Sequence, residues 1–246
     1  MSGRLPAPPL PERPLFLVDY DGTLAPLVTD PACAWPHPQA VSVLAGLAQS
    51  GVPVYVVSGR RLDDLALRLP VPALGLVGVH GLEERFGGRE RRLRVPAQAR
   101  RALEQVRRHL PRLPGVRLED KGLSLALHYR GCPDEAAVEE ELRRWAARLP
   151  EPLQPLWGKK VLEVRPRGRG KGETAARLAR RHRQRIPVCL GDDATDEEAF
   201  SALAPPAITI KVGEGPTRAR YRLAGVDAAV GYLAACLLAL CPPDGG

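Results

Sequence analysis

The chain has 246 residues, 44% hydrophobic and 26% charged, which is the balance of an ordinary globular protein and excludes extensive disorder. Its longest apolar run, 228–241, is shorter than the ~20 residues that span a bilayer and predicts a buried helix, so we expect no membrane association. The net charge is +8, but arginine outnumbers lysine 31 to 5 and only 4% of residues are aromatic, so few side chains are available to stack on bases. We therefore interpret the basic stretches 85–112 and 177–185 as solvated helix faces or as attraction for an anionic substrate, and we expect no nucleic-acid partner.

The cysteines and the first residues bear on the cellular compartment. The five cysteines form no CxxC pair and no zinc-like spacing with histidines, which favours free and mostly buried thiols. The first apolar run is interrupted at Asp19 after four residues, too early for the apolar region of a signal peptide. We therefore expect a cytoplasmic protein.

Short apolar runs recur along the chain, each followed by acids, glycines or hydroxyls. The predicted strands of this kind are 15–18, 52–57, 74–79, 187–190 and 207–212, and helices are predicted at 38–50 and 61–69. Strands that alternate with helices predict an α/β fold with an open parallel sheet. In such a sheet, ligands bind outside the carboxyl ends of the strands.

The middle of the chain has a different pattern. The predicted elements there are a helix at 97–110, strands at 116–120 and 123–130, a helix at 134–149 and a strand at 160–165. Apolar and polar residues alternate in 123–130, as in an antiparallel sheet with one exposed face. We predict an inserted α+β domain at 96–165, which interrupts a core made of 1–95 and 166–246.

Acidic residues follow the first and fourth core strands. Asp19 and Asp21 come after the first strand, and Asp192, Asp193 and Asp196 come after the fourth. Buried carboxylates are costly unless they bind a cation or transfer protons, and aspartate can also attack phosphorus. Asp19 with the second cluster would make an all-oxygen site suited to magnesium. Asp193 and Asp196 also fit the plainer roles of helix cap and loop residue.

Four motifs in order along the chain resemble those of the haloacid dehalogenase phosphatase superfamily. They are the hexapeptide DYDGTL at 19–24, Ser58 after a strand, Lys171 between two glycines, and GDDATD at 191–196. The resemblance implies a Rossmann-like core with an inserted cap. It also implies that Asp19 is a covalent nucleophile, that Asp21 is the general acid and base, and that Ser58 and Lys171 bind the phosphoryl group.

The same resemblance implies a ligand set and some substrate contacts. Asp19, Asp21 and Asp192 would hold Mg²⁺, and we expect Tyr20 and Arg60, beside the motif residues, to contact the substrate together with Asp19 and Asp21. The role of His80, at the end of the third strand, stays open between a residue near the cap opening and a polar strand end.

The predicted cap carries a second resemblance. The segment 119–130, EDKGLSLALHYR, and the segment 158–166, GKKVLEVRP, resemble the cap sequences of trehalose-6-phosphate phosphatases. In that family, Glu, Lys and His of the first segment contact the disaccharide. The resemblance implies that Glu119, Lys121, His128 and Glu163 hold the sugar hydroxyls or the phosphate side of the substrate. Lys121 as a turn cation and His128 as a hydrogen-bonded sheet residue are the plainer alternatives.

We therefore expect a magnesium-dependent phosphatase that hydrolyses trehalose 6-phosphate to trehalose and phosphate, the last step of trehalose biosynthesis. We also expect a monomer that pairs functionally with a trehalose-6-phosphate synthase. One alternative keeps the chemistry but acts on sucrose phosphate or mannosyl-phosphoglycerate. A second is a regulator in which Asp19 is phosphorylated without rapid turnover, and a third is a basic nucleic-acid-binding module.

Overall fold

The computed structural model describes residues 6–28 and 30–241. The strands are β1 (Pro14–Val18), β2 (Val54–Val57), β3 (Gly75–Gly78), β4 (Glu83–Phe86), β5 (Arg89–Arg92), β6 (Arg117–Asp120), β7 (Leu125–His128), β8 (Leu153–Gly158), β9 (Val161–Pro166), β10 (Ile186–Gly191), β11 (Ile208–Val212) and β12 (Tyr221–Leu223). The helices are α1 (Ala40–Gln49), α2 (Leu62–Arg68), α3 (Ala97–Arg108), α4 (Glu135–Ala146), α5 (Lys171–Arg181), α6 (Ala194–Ala202) and α7 (Val226–Leu240). The chain divides into a core unit, up to Arg92 and from Gly170 onward, and a second unit, Leu93–Arg169, here called the cap unit.

The core unit contains an eight-stranded sheet in the order β12-β11-β10-β1-β2-β3-β4-β5. The six strands from β12 to β3 are parallel, and β4 and β5 continue the sheet in antiparallel pairing. All five residues of β1 are buried, as expected for a central strand whose two faces are both covered. The predicted α/β fold with a parallel sheet is confirmed.

Two hydrophobic layers enclose this sheet. Phe16 and Val18 of β1 point into a layer shared with α1, α2 and α7, whereas Leu15 and Leu17 point into a layer shared with α5 and α6. Alternate residues of a strand face opposite sides, so one short apolar strand contributes to both layers. The apolar run 228–241 forms most of α7, which buries one face against the first layer and leaves Leu238 exposed. Among the described residues, no helix has the length and hydropathy that crossing a membrane requires.

The cap unit is a four-stranded antiparallel sheet in the order β6-β7-β9-β8, with α3 and α4 packed on one face. Leu125, Leu127, Leu162 and Val164 point toward the helices and form the centre of this unit's core. The residues between them on β7 and β9 therefore point to the opposite face of the sheet. This agrees with the alternation predicted for 123–130, and it places Glu163 on the face opposite Leu162 and Val164.

Part of the basic stretch 85–112 is not helical. Residues 83–92 form the hairpin of β4 and β5, so the interpretation of this part as a helix face is wrong. The turn is Gly87-Gly88, with φ values of +58° and +72°, a conformation that glycine adopts easily and that suits a two-residue hairpin. β5 carries four exposed charged residues and no apolar alternation, so hydrophobic patterning could not reveal it.

Candidate active site

Asp19 lies directly after the central strand β1 and is only 5% exposed. Its backbone N–H donates to the carbonyl of Leu190 on β10, which continues the parallel pairing one residue beyond the strand. The sheet therefore brings the carboxylate to its carboxyl edge, beside the acidic turn after β10. Burial raises the pKa of Asp19 to about 7, although the ammonium group of Lys171 opposes that rise.

Lys171 is the first residue of α5 and is almost fully buried. Its Nζ lies 2.6 Å from Oδ1 of Asp19 and 2.9 Å from Oδ1 of Asp196. Burial alone would lower the pKa of Lys171, but these carboxylates outweigh burial and raise it well above its usual value. The site therefore holds a fixed positive charge against Asp19, at a position where phosphoryl oxygens could also be neutralised.

The acidic turn after β10 is held by hydrogen bonds at the start of α6. The side chain of Asp193 accepts from the N–H groups of Thr195 and Asp196, and Asp196 accepts in return from the N–H of Asp193, which is a capping box. The plainer role predicted for Asp193, that of a helix cap, therefore describes its contacts. The buried amine of Lys211 donates to the carbonyl of Asp192, which fixes the backbone of this turn.

Three carboxylates lie close enough together to hold a metal ion. Asp19, Asp192 and Asp196 each offer one oxygen, and these oxygens lie within 4.8 Å of one another. Hard oxygen donors fit Mg²⁺. Asp196 accepts from Lys171 through one oxygen and from the N–H groups of Asp192 and Asp193 through the other, so both of its oxygens are engaged within the protein. The carboxylate of Asp21, which we predicted as a third ligand, is not part of this group.

The carboxylate of Asp21 is instead bound by Arg60. Nε of Arg60 lies 2.8 Å from Oδ2 of Asp21, and Nη2 lies 2.7 Å from Oδ1. Arg60 was expected to contact the substrate, but its guanidinium is engaged within the protein. Tyr20, also expected at the substrate, has a fully buried side chain whose hydroxyl donates to the carbonyl of Ala34. Any contact between Tyr20 and a substrate would therefore involve its backbone.

Ser58 follows β2, the strand next to β1, and is also buried. Its Oγ accepts from the N–H of Arg60, and its carbonyl accepts from the N–H of His80. Val79 and His80 both have left-handed backbone conformations, which are strained for residues with a Cβ, and the ring of His80 packs against Gly59. The residue whose role was left open thus supports the turn that carries Ser58.

The four predicted sugar contacts lie on the face of the cap sheet opposite its helices. Glu119 pairs with His128, with 2.8 Å between Oε2 and Nε2, and Lys121 pairs with Glu163, with 2.9 Å between Nζ and Oε2. Glu119 and Glu163 lie in one row across β6, β7 and β9. The bond from His128 lowers the pKa of Glu119. This face therefore presents charged donors and acceptors in a fixed arrangement, which suits a polyhydroxylated ligand.

Two residues of the core site were not singled out from the sequence. Asp64 contacts both Arg60 and Arg68, at distances of 2.7 and 2.8 Å. For Asp64 and Arg68 the signal was their i, i+4 spacing, which brings side chains together on a helix, whereas Arg60 lies before α2. Such pairs are common on exposed helix faces, so the spacing alone does not indicate a functional site.

The core unit thus places a buried aspartate, a paired lysine and a group of three carboxylates at the carboxyl edge of a parallel sheet, which is the arrangement of a phosphatase of the haloacid dehalogenase class. The trehalose-phosphatase family model matches residues 17–227. The chain belongs to the trehalose-phosphatase family.

Individual relatives support the assignment to this family. The trehalose-6-phosphate phosphatase of Escherichia coli is 36% identical over 236 residues, covering 89% of this chain and 85% of that protein. The trehalose-phosphate phosphatase of Mycobacterium marinum is 34% identical over 86% of this chain, which spans only 58% of that longer relative. Among solved structures, the C-terminal domain of the Candida albicans trehalose-6-phosphate phosphatase superposes with a TM-score of 0.80 at 25% identity, covering 92% of this chain and 93% of that one.

Proposed function

We propose that this protein hydrolyses trehalose 6-phosphate to trehalose and phosphate through an aspartyl-phosphate intermediate at Asp19, with Mg²⁺ as cofactor. The observation that carries the proposal is the buried contact between Asp19 and Lys171, in a chain that matches the trehalose-phosphatase family over most of its length. The contact orients the carboxylate of Asp19 and keeps a positive charge beside it.

In the first half-reaction, a carboxylate oxygen of Asp19 forms a bond to phosphorus while the bond from phosphorus to the sugar oxygen breaks. The leaving oxygen takes a proton from Asp21, since an alkoxide is a poor leaving group. Lys171 and Ser58 donate to the phosphoryl oxygens as negative charge spreads over them. The products of this step are trehalose and the phosphorylated Asp19.

In the second half-reaction, water attacks the phosphorus of the aspartyl phosphate and loses a proton to Asp21. The bond between phosphorus and the Asp19 oxygen breaks, which releases phosphate and restores both carboxyl groups to their starting states. Asp19 and Asp192 would hold Mg²⁺, which would neutralise charge on the nucleophile and the phosphoryl group. The oxygen-only donor set at the acidic turn supports that choice of cation.

We also propose that Glu119, Lys121, His128 and Glu163 give the selectivity for the disaccharide. Sugar hydroxyls both donate and accept hydrogen bonds, and this set supplies carboxylate acceptors, an ammonium donor and an imidazole. Because these residues pair with one another, the side chains are already oriented before a ligand binds. Preorganisation lowers the entropy cost of binding.

Phosphate release from a panel of trehalose 6-phosphate, sucrose 6-phosphate, glucose 6-phosphate and mannosyl-phosphoglycerate tests the substrate. We expect the highest kcat/KM for trehalose 6-phosphate and no turnover by Asp19→Asn, because an amide is neither a nucleophile nor a good metal ligand. Preference for another sugar would contradict the substrate assignment, and rapid turnover by Asp19→Asn would contradict the covalent mechanism.

Metal removal tests the cofactor. We expect activity to vanish in excess chelator and to return with Mg²⁺, but not with Ca²⁺, whose larger and looser coordination shell misplaces the reacting oxygens. Asp192→Ala should raise the Mg²⁺ concentration needed for half-maximal activity or abolish turnover. Full activity of the metal-free protein would reject the cofactor assignment.

A cytoplasmic location is part of the proposal, supported by five cysteines that are all free. The expectations of a monomer and of functional pairing with a trehalose-6-phosphate synthase stay predictions.

A further inference from the structure

The guanidinium of Arg60 forms several hydrogen bonds within the protein. Besides the two bonds to Asp21, its Nη1 donates to Asp64 at 2.7 Å and its Nη2 donates to the carbonyl of Pro31 at 2.8 Å. Its side chain is 10% exposed and lies over the ring of Tyr20, 5.1 Å from the ring centre. The guanidinium is therefore fixed on several sides.

The partners of Arg60 are themselves braced. Asp64 bridges Arg60 to Arg68, a buried residue at the end of α2. Arg68 in turn donates to the carbonyls of Ala32 and Ala34, in the loop that also holds the carbonyl of Pro31. A continuous network thus runs from α2 through two arginines to the carboxylate of Asp21.

We propose that Arg60 is a positioning residue that orients the carboxyl group of Asp21 for proton transfer, and that Asp64 holds Arg60 in place. The inference rests on the proposed role of Asp21 and goes beyond it by assigning what aims this group. It also replaces substrate binding as the main role of Arg60.

The geometry of the pair supports this assignment. Two parallel hydrogen bonds from a guanidinium define the plane of a carboxyl group as well as its position, which one hydrogen bond or a diffuse charge cannot do. The backbone N–H of Arg60 also donates to Ser58 Oγ, so one residue connects the proton-transfer group to a phosphoryl-binding group.

The test compares kcat/KM for phenyl phosphate and 4-nitrophenyl phosphate. These substrates have nearly the same shape and lack the sugar, but phenolate is the poorer leaving group and depends more on a proton donor. The variants are Arg60→Lys, which keeps the charge but loses the paired bonds, and Asp64→Asn. Arg61→Met and Asp63→Asn are matched controls, because these neighbouring residues form an exposed pair with each other. Asp21→Asn is the reference for complete loss of proton transfer.

We expect Arg60→Lys to lower kcat/KM about 30- to 100-fold for phenyl phosphate and less than about 3-fold for 4-nitrophenyl phosphate, because misplacing the proton donor should cost less than the roughly 10²- to 10⁴-fold that general acid catalysis contributes in full. Asp64→Asn should show the same selectivity with a smaller loss, and the controls should match the unchanged protein. In Asp21→Asn, adding Arg60→Lys should change nothing further, because both changes remove one function.

Other results would contradict the positioning role of Arg60. Equal losses on both substrates, or losses that add to those of Asp21→Asn, would mean that Arg60 supports the fold, and no loss would remove it from the reaction. If Asp21→Asn itself fails to discriminate between the two substrates, the proposed role of Asp21 is at fault. Selectivity in Asp21→Asn without selectivity in Arg60→Lys or Asp64→Asn would overturn the positioning role alone.

Discussion

At the scale of single residues, Gly22 is the position where the first motif meets the acidic turn. Its φ is +80°, and a Cβ placed there would lie 2.3 Å from Cγ of Asp192. No side chain fits in that space. The absence of a side chain therefore lets the loop after β1 approach a proposed metal ligand, besides permitting the left-handed backbone.

We predict that Gly22→Ala raises the Mg²⁺ concentration for half-maximal activity tenfold or more, because the new methyl group displaces Asp192. Gly51→Ala is the control: Gly51 also has φ of +80°, but nothing lies within 4 Å of the added Cβ. Both changes should cost about 1–2 kcal/mol of folding free energy from the left-handed backbone. Activity measured against Mg²⁺ concentration and urea unfolding separate the two effects, and equal Mg²⁺ requirements in the two variants would contradict the prediction.

At the scale of elements, a buried carboxylate joins the antiparallel end of the core sheet to α5. Glu84 on β4 is 2% exposed and accepts from Arg91 of β5 at 3.0 Å and from Arg177 and Arg181 of α5 at 2.8 and 3.1 Å. Burial alone would raise the pKa of Glu84, but the arginines outweigh burial and lower it. These bonds connect β4 to both neighbouring elements.

We predict that Glu84→Gln lowers the free energy of unfolding at pH 7 by about 2–3 kcal/mol, below the usual cost of breaking a fully buried ion pair because Arg91 and Arg181 are partly exposed. Since the pKa of Glu84 is lower in the folded state, its contribution is complete above the ordinary value of 4.5 and is lost as the pH falls through the folded-state value. The deficit of the variant should therefore shrink in acid.

Urea denaturation at several pH values measures this effect. Glu90→Gln serves as the control, because Glu90 forms an exposed pair with Arg85 in the same hairpin and should contribute less than about 1 kcal/mol. A deficit in Glu84→Gln that stays constant down to strong acid would show that lost packing, rather than charge, explains it.

The strands that could be predicted from the sequence are those whose side chains are buried. β1 is a run of five apolar residues with both faces covered, so its composition alone predicted a strand. Its parallel pairing with β10 places Asp19 beside the turn at Asp192. β5 and the three-residue β12 have no such pattern, because partner strands and turns define them. The site was predictable where backbone position decides it. The hydrogen bonds between Arg60 and Asp21 could not be predicted, because a long side chain can reach several nearby partners and the sequence does not show which one it contacts.

At the scale of the whole molecule, we propose different roles for the two units, so substitutions in each unit should affect different substrates. We predict that Glu119→Ala and Glu163→Gln lower kcat/KM for trehalose 6-phosphate about ten- to a hundredfold, the value of one charged hydrogen bond, because remote binding energy orients the phosphoryl group. Turnover of 4-nitrophenyl phosphate, which makes no sugar contacts, should change little. Lys171→Ala should lower kcat/KM for both substrates.

Glu141→Ala is the control in the cap unit, since Glu141 forms an exposed pair with Arg144 on α4 and should affect neither substrate. The measurement is kcat/KM of each variant on both substrates, and thermal unfolding checks that each variant is folded. Equal losses on both substrates from the changes at Glu119 and Glu163 would show that these residues maintain the fold instead of selecting the sugar.

The core unit is built from two stretches of chain that are synthesised at different times. Asp19 and Lys171 are 152 residues apart, and the whole cap unit is translated between them. At the usual speed of translation, roughly 10–30 s separate the two residues. During this interval β1 can pair with β2 but has no β10 beside it, so one edge of an apolar strand stays unpaired. Asp19 therefore meets its buried lysine partner only after more than two thirds of the 246 residues have been synthesised.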